Sequence, residues 1–157
     1  MPIILILAIF LAMAGASVAG PAEDALAAKA AYARGDFAAA VKLYRRAADQ
    51  GHADAANSLA IMYFRGNGVP YDDTEAARWF LRAAELGDAN AQRNIGNAYR
   101  FGQGMPKNEV LALMWFNLAI AHGNKRAAED RDAVARDLTA AQIVEAQKLT
   151  DAWKPKR

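Results

Sequence analysis

The chain has 157 residues, no cysteine and a nearly balanced charge, and these properties exclude several classes of protein. Nineteen Lys and Arg residues against 17 Asp and Glu leave a formal net charge of +2, which does not favour a nucleic-acid or anionic-membrane surface. Without cysteine there is no disulfide framework, thiolate zinc site or cysteine nucleophile. Alanine is abundant while Val, Ile and Thr are scarce after residue 20, so we expect an all-α protein.

The first 20 residues predict export. They contain no charged side chain, and an apolar run from Ile3 to Met13 is followed by small residues up to Ala19. This order is typical of a signal peptide, residues 1–19, cut after Ala19. The alternative is an anchor in the inner membrane formed by residues 1–20, because roughly 20 apolar residues can span a bilayer. In either case we expect the folded part in the periplasm or secreted, and contact with a membrane only if the leader is uncleaved.

A repeat of 36 residues organises the rest of the chain. Gly51, Gly87 and Gly123 are each separated by 36 positions. The same offset relates further positions of the two central units, namely Leu59 with Ile95, Tyr63 with Tyr99, Gly66 with Gly102, Gly68 with Gly104, Trp79 with Trp115, and Phe80 with Phe116. So regular a coincidence indicates an internal repeat rather than composition alone.

Each unit predicts two helices. In the first full unit, helix A runs from about Ala53 to Arg65, and the Gly-containing stretch 66–70 ends it. Asp72 is expected to cap helix B, with Glu75 completing a capping box, and Gly87 to end it in the left-handed conformation. One such pair cannot cover its own apolar face, so the units must stack.

The C-terminal region predicts a helix from Lys125 to Asp137 and a final helix that begins with a capping box of Thr139 and Gln142. The apolar side of the final helix consists of Ile143, Ala146, Leu149 and Trp153. We expect it to form a lid over the very apolar helix 110–121, which would otherwise expose Leu113, Met114 and Leu118.

The pattern of alanine, aromatic and glycine positions in the two central units resembles the Sel-1-like repeat (SLR) family, relatives of the tetratricopeptide repeats. The resemblance implies an α-solenoid of about eight short helices in antiparallel pairs, with a C-terminal capping helix. Residues 23–50 then form a shortened tetratricopeptide-like pair, 52–87 and 88–123 two Sel-1-like repeats, and 124–153 a capping helix pair. Such repeats are mostly protein-interaction scaffolds, some of them exported. A cysteine-rich branch is associated with β-lactamase-like activity, but this chain lacks those cysteines.

No motif predicts a catalytic residue, a metal site or a cofactor. After the leader the only serine is Ser58, which lies in the middle of a helix without an evident base. His52 and His122 lie about two units apart, too far to share a metal. We therefore expect a non-enzymatic module; the alternative is a β-lactamase-like or other envelope hydrolase.

A polar stripe on the A helices is the candidate binding surface, because these helices are expected to line the concave side of the stack. Its members are Asn57, Ser58, Arg65, Asn90, Arg93, Asn94, Asn97 and Arg100. Asn and Arg side chains can bind peptide backbone and carboxylates. The expected partner is a protein or peptide and not nucleic acid, and we expect the chain to be a monomer. The alternative is that the stripe is merely solvated.

Overall fold

The computed structural model describes residues 19–156, and these form eight α-helices without a β-strand among them. The helices are α1 (Pro21–Ala33), α2 (Phe37–Asp49), α3 (Ala53–Arg65), α4 (Asp73–Glu85), α5 (Ala89–Phe101), α6 (Glu109–Ala121), α7 (Ala127–Ala135) and α8 (Ala140–Ala152). The all-α prediction is confirmed. The predicted leader lies outside the described residues except for Ala19. Within the described part, no helix has both the length and the apolar character that crossing a bilayer requires.

The helices pack as a linear stack of pairs. The closest packing joins α1 with α2, α3 with α4, and α5 with α6, and adjoining pairs meet through α2 with α3 and α4 with α5. Each pair thus contacts mainly its neighbours in sequence, which is the arrangement of an α-solenoid. The recurrent Trp79 and Trp115 are both buried, as expected for side chains that fill the space between units. Burial of a large apolar side chain contributes about 1.5–3 kcal/mol.

A glycine in each long loop touches the preceding pair. Gly68, in the loop between α3 and α4, has φ +73°, and a Cβ built there would lie 2.7 Å from the backbone carbon of Phe37 at the start of α2. Gly104, in the loop between α5 and α6, has φ +68°, and its Cβ would lie 2.0 Å from the carbonyl oxygen of Asp73 at the start of α4. Glycine is therefore required at both positions for two reasons: it adopts a positive φ without strain, and its lack of a Cβ lets successive repeats approach closely.

Side chains cap several helices at their first turns. Asp72 accepts a hydrogen bond from the backbone N–H of Glu75 (3.0 Å), as predicted. The reciprocal half of that predicted capping box is absent, because the Glu75 carboxylate accepts from Arg78 instead (2.7 Å). The second predicted box is confirmed: Thr139 accepts from the N–H of Gln142, whose Oε1 accepts from the N–H of Thr139. Each such cap contributes on the order of 1 kcal/mol.

The last helix covers α6, as predicted. Leu113, Met114 and Leu118 are buried, and the Trp153 ring meets the Trp115 ring edge to face at 6.3 Å between centroids. One member of the expected apolar face was predicted wrongly: Ile143 is 39% exposed. The contact with α6 runs through Ala146 and the residues after it, so Ile143, one turn earlier, lies beyond the covered area.

The preceding helix is shorter than predicted. The spacing predicted a helix from Lys125 to Asp137, whereas α7 begins at Ala127 and ends at Ala135. Residues 124–126 form a turn instead, in which the N–H of Ala127 donates to the carbonyl of Asn124 (3.2 Å). No side chain caps this helix, and the turn places two cationic side chains beside its start.

Candidate functional site

The polar stripe predicted from the sequence lies on α3 and α5. These are first helices of their pairs, and we call the surface of the first helices, α1, α3, α5 and α7, the A-helix face. Six of its eight residues line one of three surface cavities on this face: Ser58, Arg65, Asn90, Arg93, Asn94 and Asn97. Asn57 and Arg100 line none of them. The Arg100 guanidinium lies over the Phe101 ring, 4.9 Å from its centroid.

Part of the stripe binds neighbouring helices to one another. Asn94 on α5 donates to Oδ1 of Asn57 on α3 (3.1 Å), and Arg93 on α5 donates to Asp130 on α7 (2.6 Å). Asn57 is only 6% exposed, so the expectation of an exposed side chain does not hold at this position. Because a buried polar group must find a partner, Asn57 is paired with the half-buried Asn94. Whether the rest of the stripe binds a partner stays a prediction.

The largest of these three cavities, of about 540 Å³, lies where α3, α4 and α5 meet, and we call it the aromatic cavity. Its apolar walls are formed by Ile61, Phe64, Ala76, Ala77, Phe80, Ala98 and Phe101. Arg65, Asp73, Asn94, Asn97, Gln103 and Asp130 complete the lining. Phe101 is 61% exposed and Phe64 is 41% exposed, although rings of this size are usually buried.

Sequence reasoning missed these two phenylalanines, although the repeat contained a signal for them. The 36-residue offset pairs Phe64 with Arg100 and Arg65 with Phe101. Where one repeat has an aromatic residue and the other has arginine at the equivalent position, that position is not part of the apolar core that the repeats share. This mismatch marks both rings as surface residues.

Two smaller cavities flank the aromatic cavity. One, of about 360 Å³, is lined by Asn90, Arg93, Asn94, Gly123, Asn124, Lys125 and Arg126, and we call it the cationic cavity. The other, of about 230 Å³, is lined by Tyr32, Tyr44, Ser58, Ile61 and Arg65, and we call it the tyrosine cavity. Asn94 lines both the cationic and the aromatic cavity, and Arg65 lines both the aromatic and the tyrosine cavity. The three cavities therefore adjoin one another along α1, α3, α5 and the start of α7, with walls from α2 and α4, and we call this row of cavities the groove.

Two tyrosines at the groove, Tyr44 and Tyr71, form local hydrogen bonds. Burial raises the pKa of Tyr44 in the tyrosine cavity, and the hydrogen bond with Ser58 partly offsets this effect. At the rim of the aromatic cavity, Tyr71 donates its hydroxyl to Oδ2 of Asp73 (2.5 Å), and this hydrogen bond raises the pKa of Tyr71. Among the described residues, no three His, Asp or Glu side chains are placed to hold a metal ion. The groove offers amides, cations and aromatic rings, which are groups suited to binding.

One buried residue that the sequence did not single out joins three helices. Gln92 on α5 is fully buried, and its Nε2 donates to the carbonyl of Ala84 on α4 (3.1 Å). Its Oε1 lies 2.8 Å from Nδ1 of His122 at the end of α6. Because Oε1 can only accept, Nδ1 of His122 carries the proton in this contact. The pair links α4, α5 and the end of α6.

A stack of helix pairs with a long glycine loop inside two of them defines the class of α-solenoid repeat proteins. The Sel1 repeat model matches residues 26–52, 53–88 and 89–124, which is more than half of the chain, so the chain belongs to the Sel1 repeat family. The resemblance seen in the sequence is confirmed. The first matched segment, residues 26–52, contains part of α1 and all of α2, whose connecting turn is short.

Two solved structures share this fold. One is a protective antigen present in uropathogenic Escherichia coli strains that displays an SLR fold; it is 28% identical, with a TM-score of 0.80, and the match covers 85% of this chain and 29% of the antigen chain. The other is a Sel1 repeat protein from Oxalobacter formigenes, 34% identical with a TM-score of 0.67, covering 71% of this chain and 47% of that one. This chain thus spans less than half the length of either relative. No curated protein matches it. The Sel1 repeat fold indicates a protein-interaction module.

Proposed function

We propose that this chain is an exported, non-catalytic interaction module of the cell envelope, an adaptor, regulator or assembly factor, that binds a peptide or protein segment along the groove of the A-helix face. The proposal combines the family's general role in protein interaction with the geometry of the groove. Turnover is no part of it, and the polar groups of the groove serve to orient the bound segment.

The observation that carries this proposal is the pair of exposed rings at the aromatic cavity. Phe64 and Phe101 both line it and both leave a large part of their surface to solvent. Aromatic residues in desolvated pockets dominate the binding energy of many protein interfaces. A volume of about 540 Å³ is within the range of ligand pockets, about 300–1,000 Å³. The cavity can accept a bulky side chain of a partner, with amides of Asn94 and Asn97 beside it.

Site-specific photocrosslinking in intact cells tests the location. A benzophenone amino acid at position 101 should give a discrete adduct with a partner protein. The matched control is the same amino acid at position 26, because Leu26 is also apolar and exposed (67%) but lines none of the three cavities. Phe64→Ala should weaken the adduct formed from position 101 without changing the circular dichroism spectrum. Equal adducts from both positions, or none from position 101, would contradict the proposal.

Arg93 and Asn94 are unsuitable for the first test. Their side chains bind Asp130 and Asn57 on neighbouring helices, so alanine at either position would change stability together with binding. The rings of Phe64 and Phe101, being exposed, can be removed with little effect on the fold.

Export rests on the residue pattern of positions 1–19, and it has its own test. The full chain, expressed in a bacterium and recovered from the periplasm or medium, should carry a new amino terminus at Gly20. An intact leader in the membrane fraction would support the alternative, an inner-membrane anchor. Purified protein should not hydrolyse nitrocefin or muropeptides, and turnover of either would contradict the non-catalytic part of the proposal.

A further inference from the structure

We infer that the segment bound in the groove is acidic, with carboxylates on both sides of a bulky apolar side chain that enters the aromatic cavity. This inference rests on the proposed function and specifies the chemistry of its ligand. It follows from which charges in the groove are already paired and which are not.

Three cations of the groove have no acidic partner. Arg65, Lys125 and Arg126 are exposed, and none of them forms an ion pair with any described residue. The surface of a folded chain balances such charges with solvent or with a ligand of opposite sign. Uncompensated positive charge thus remains at two places along one groove.

Two acidic side chains line the same groove, against four cations. Asp130 forms an ion pair with Arg93 at 2.6 Å. Asp73 accepts the hydroxyl of Tyr71 through Oδ2 at 2.5 Å, and its buried Oδ1 has no hydrogen-bond partner. These carboxylates do not neutralise the three cations. Electrostatic complementarity therefore favours an anionic segment and disfavours a basic one.

The position of the cations sets the order of residues in the ligand. Arg65 lies between the tyrosine and aromatic cavities, whereas Lys125 and Arg126 line the cationic cavity. The aromatic cavity is between them and shares Asn94 with the cationic one. Because an extended peptide advances about 3.3 Å per residue, carboxylates close to the apolar residue on either side can reach both groups of cations.

Selection from a random peptide library displayed on phage, with the purified protein immobilised, tests the inference without assuming a sequence. We expect the enriched peptides to carry Phe, Leu or another bulky apolar residue with Asp or Glu on both sides. Enrichment of apolar peptides without acidic residues, or of basic ones, would overturn the inference and leave the proposed function standing. Failure to enrich any peptide would overturn both.

Charge reversal then tests the site with a selected peptide. The double variant Lys125→Glu with Arg126→Glu should weaken its binding about tenfold or more, because each exposed ion pair changes affinity by about twofold to fivefold and each reversal replaces attraction with repulsion. The matched control, Lys148→Glu with Lys154→Glu, changes the net charge equally at exposed positions outside the groove, and it should change affinity by less than about twofold. Equal losses in the two variants would overturn the assignment.

Phe101→Ala separates the apolar anchor from the charges. It should weaken the same peptide while leaving the salt dependence of binding unchanged, because the ring carries no charge. The Lys125 and Arg126 variant should instead show a smaller loss of affinity with added salt than the unaltered protein shows. A selected peptide that responds to neither change binds elsewhere, and that result would also overturn the inference.

Discussion

Replacing Gly104 with alanine should break the contact between the two central repeats. The backbone at this position has φ +68°, and an added Cβ would lie 2.0 Å from the carbonyl oxygen of Asp73 and 2.4 Å from its carbonyl carbon. Contacts that short do not occur, so the loop between α5 and α6 would have to move away from the start of α4 by about 1 Å. Since α4 begins there, the movement opens the packing between repeats.

A matched control separates the steric clash from backbone strain. Gly102 lies in the same loop with the same φ of +68°, but its added Cβ would meet Lys107 at 3.5 Å, an ordinary contact. A non-glycine residue in this conformation costs about 1–2 kcal/mol. Forcing extra volume into a packed interface adds about 1–3 kcal/mol. Gly102→Ala should therefore cost about 1–2 kcal/mol, and Gly104→Ala about 2–5 kcal/mol.

The preceding repeat provides a second pair of variants. An added Cβ at Gly68 would lie 2.7 Å from the backbone of Phe37, and one at Gly66 would lie 3.4 Å from the backbone nitrogen of Tyr71. Because 2.7 Å is a less severe overlap than 2.0 Å, the expected order of destabilisation is Gly104→Ala, then Gly68→Ala, then the two control positions together.

Urea titration followed by circular dichroism at 222 nm measures the free energy of unfolding of each variant. Melting temperatures from thermal melts rank the variants independently. At about 2–8 °C per kcal/mol for domains near this size, Gly104→Ala should melt well below Gly102→Ala. If the two variants are equally stable, the close approach of the loop to α4 is not a source of stability, and the reasoning is refuted.

Three further predictions concern stability. Arg46, chiefly through its hydrogen bond, holds the pKa of the buried Asp24 carboxyl below its usual value. The resulting stabilisation is present above the ordinary pKa and is lost as the pH falls through the lowered pKa. The urea midpoint of Asp24→Asn should therefore decrease less on acidification than that of the unaltered protein. Burial raises the pKa of Asp88, which caps α5. Asp88→Asn keeps a capping group without the charge, so its free energy of unfolding at neutral pH should be unchanged or higher, whereas Asp88→Ala should lose about 1 kcal/mol. Equal losses for the two variants in urea titrations would contradict this prediction. Gly96→Ala should lower the free energy of unfolding by about 1–3 kcal/mol, although alanine has the better helix propensity. The reason is that the added Cβ would lie 2.6 Å from the Phe116 ring. A variant that melts at a higher temperature than the unaltered protein would show that the ring can move.

Much of the fold could be predicted because its signals are local and repeated. Asp72 and Thr139 were recognisable as caps from the residues immediately following them, and both cap their helices. The apolar spacing around Trp79 and Trp115 predicted their burial. A 36-residue offset carries such signals through successive units, so each unit supports the interpretation of the next.

The candidate site was only partly predictable, because it depends on distances between helices. The polar stripe on the A helices was visible in the sequence, and six of its members line the groove. Whether Asn57 pairs with Asn94, and whether Arg93 binds Asp130, depends on how closely α3, α5 and α7 approach one another. The exposure of Phe101 likewise follows from where the next loop passes.

The amino-acid sequence by itself determined that this protein is a stack of helix pairs, where most helices begin and end, and which aromatic rings lie between the pairs. These features follow from helical periodicity, capping groups and glycine positions, which act over a few residues. Only the tertiary structure decided which polar side chains bind each other, which cations stay unpaired and where the groove opens. Those outcomes depend on the rotation and spacing of one pair relative to the next, which packing across the whole stack sets and no single unit encodes.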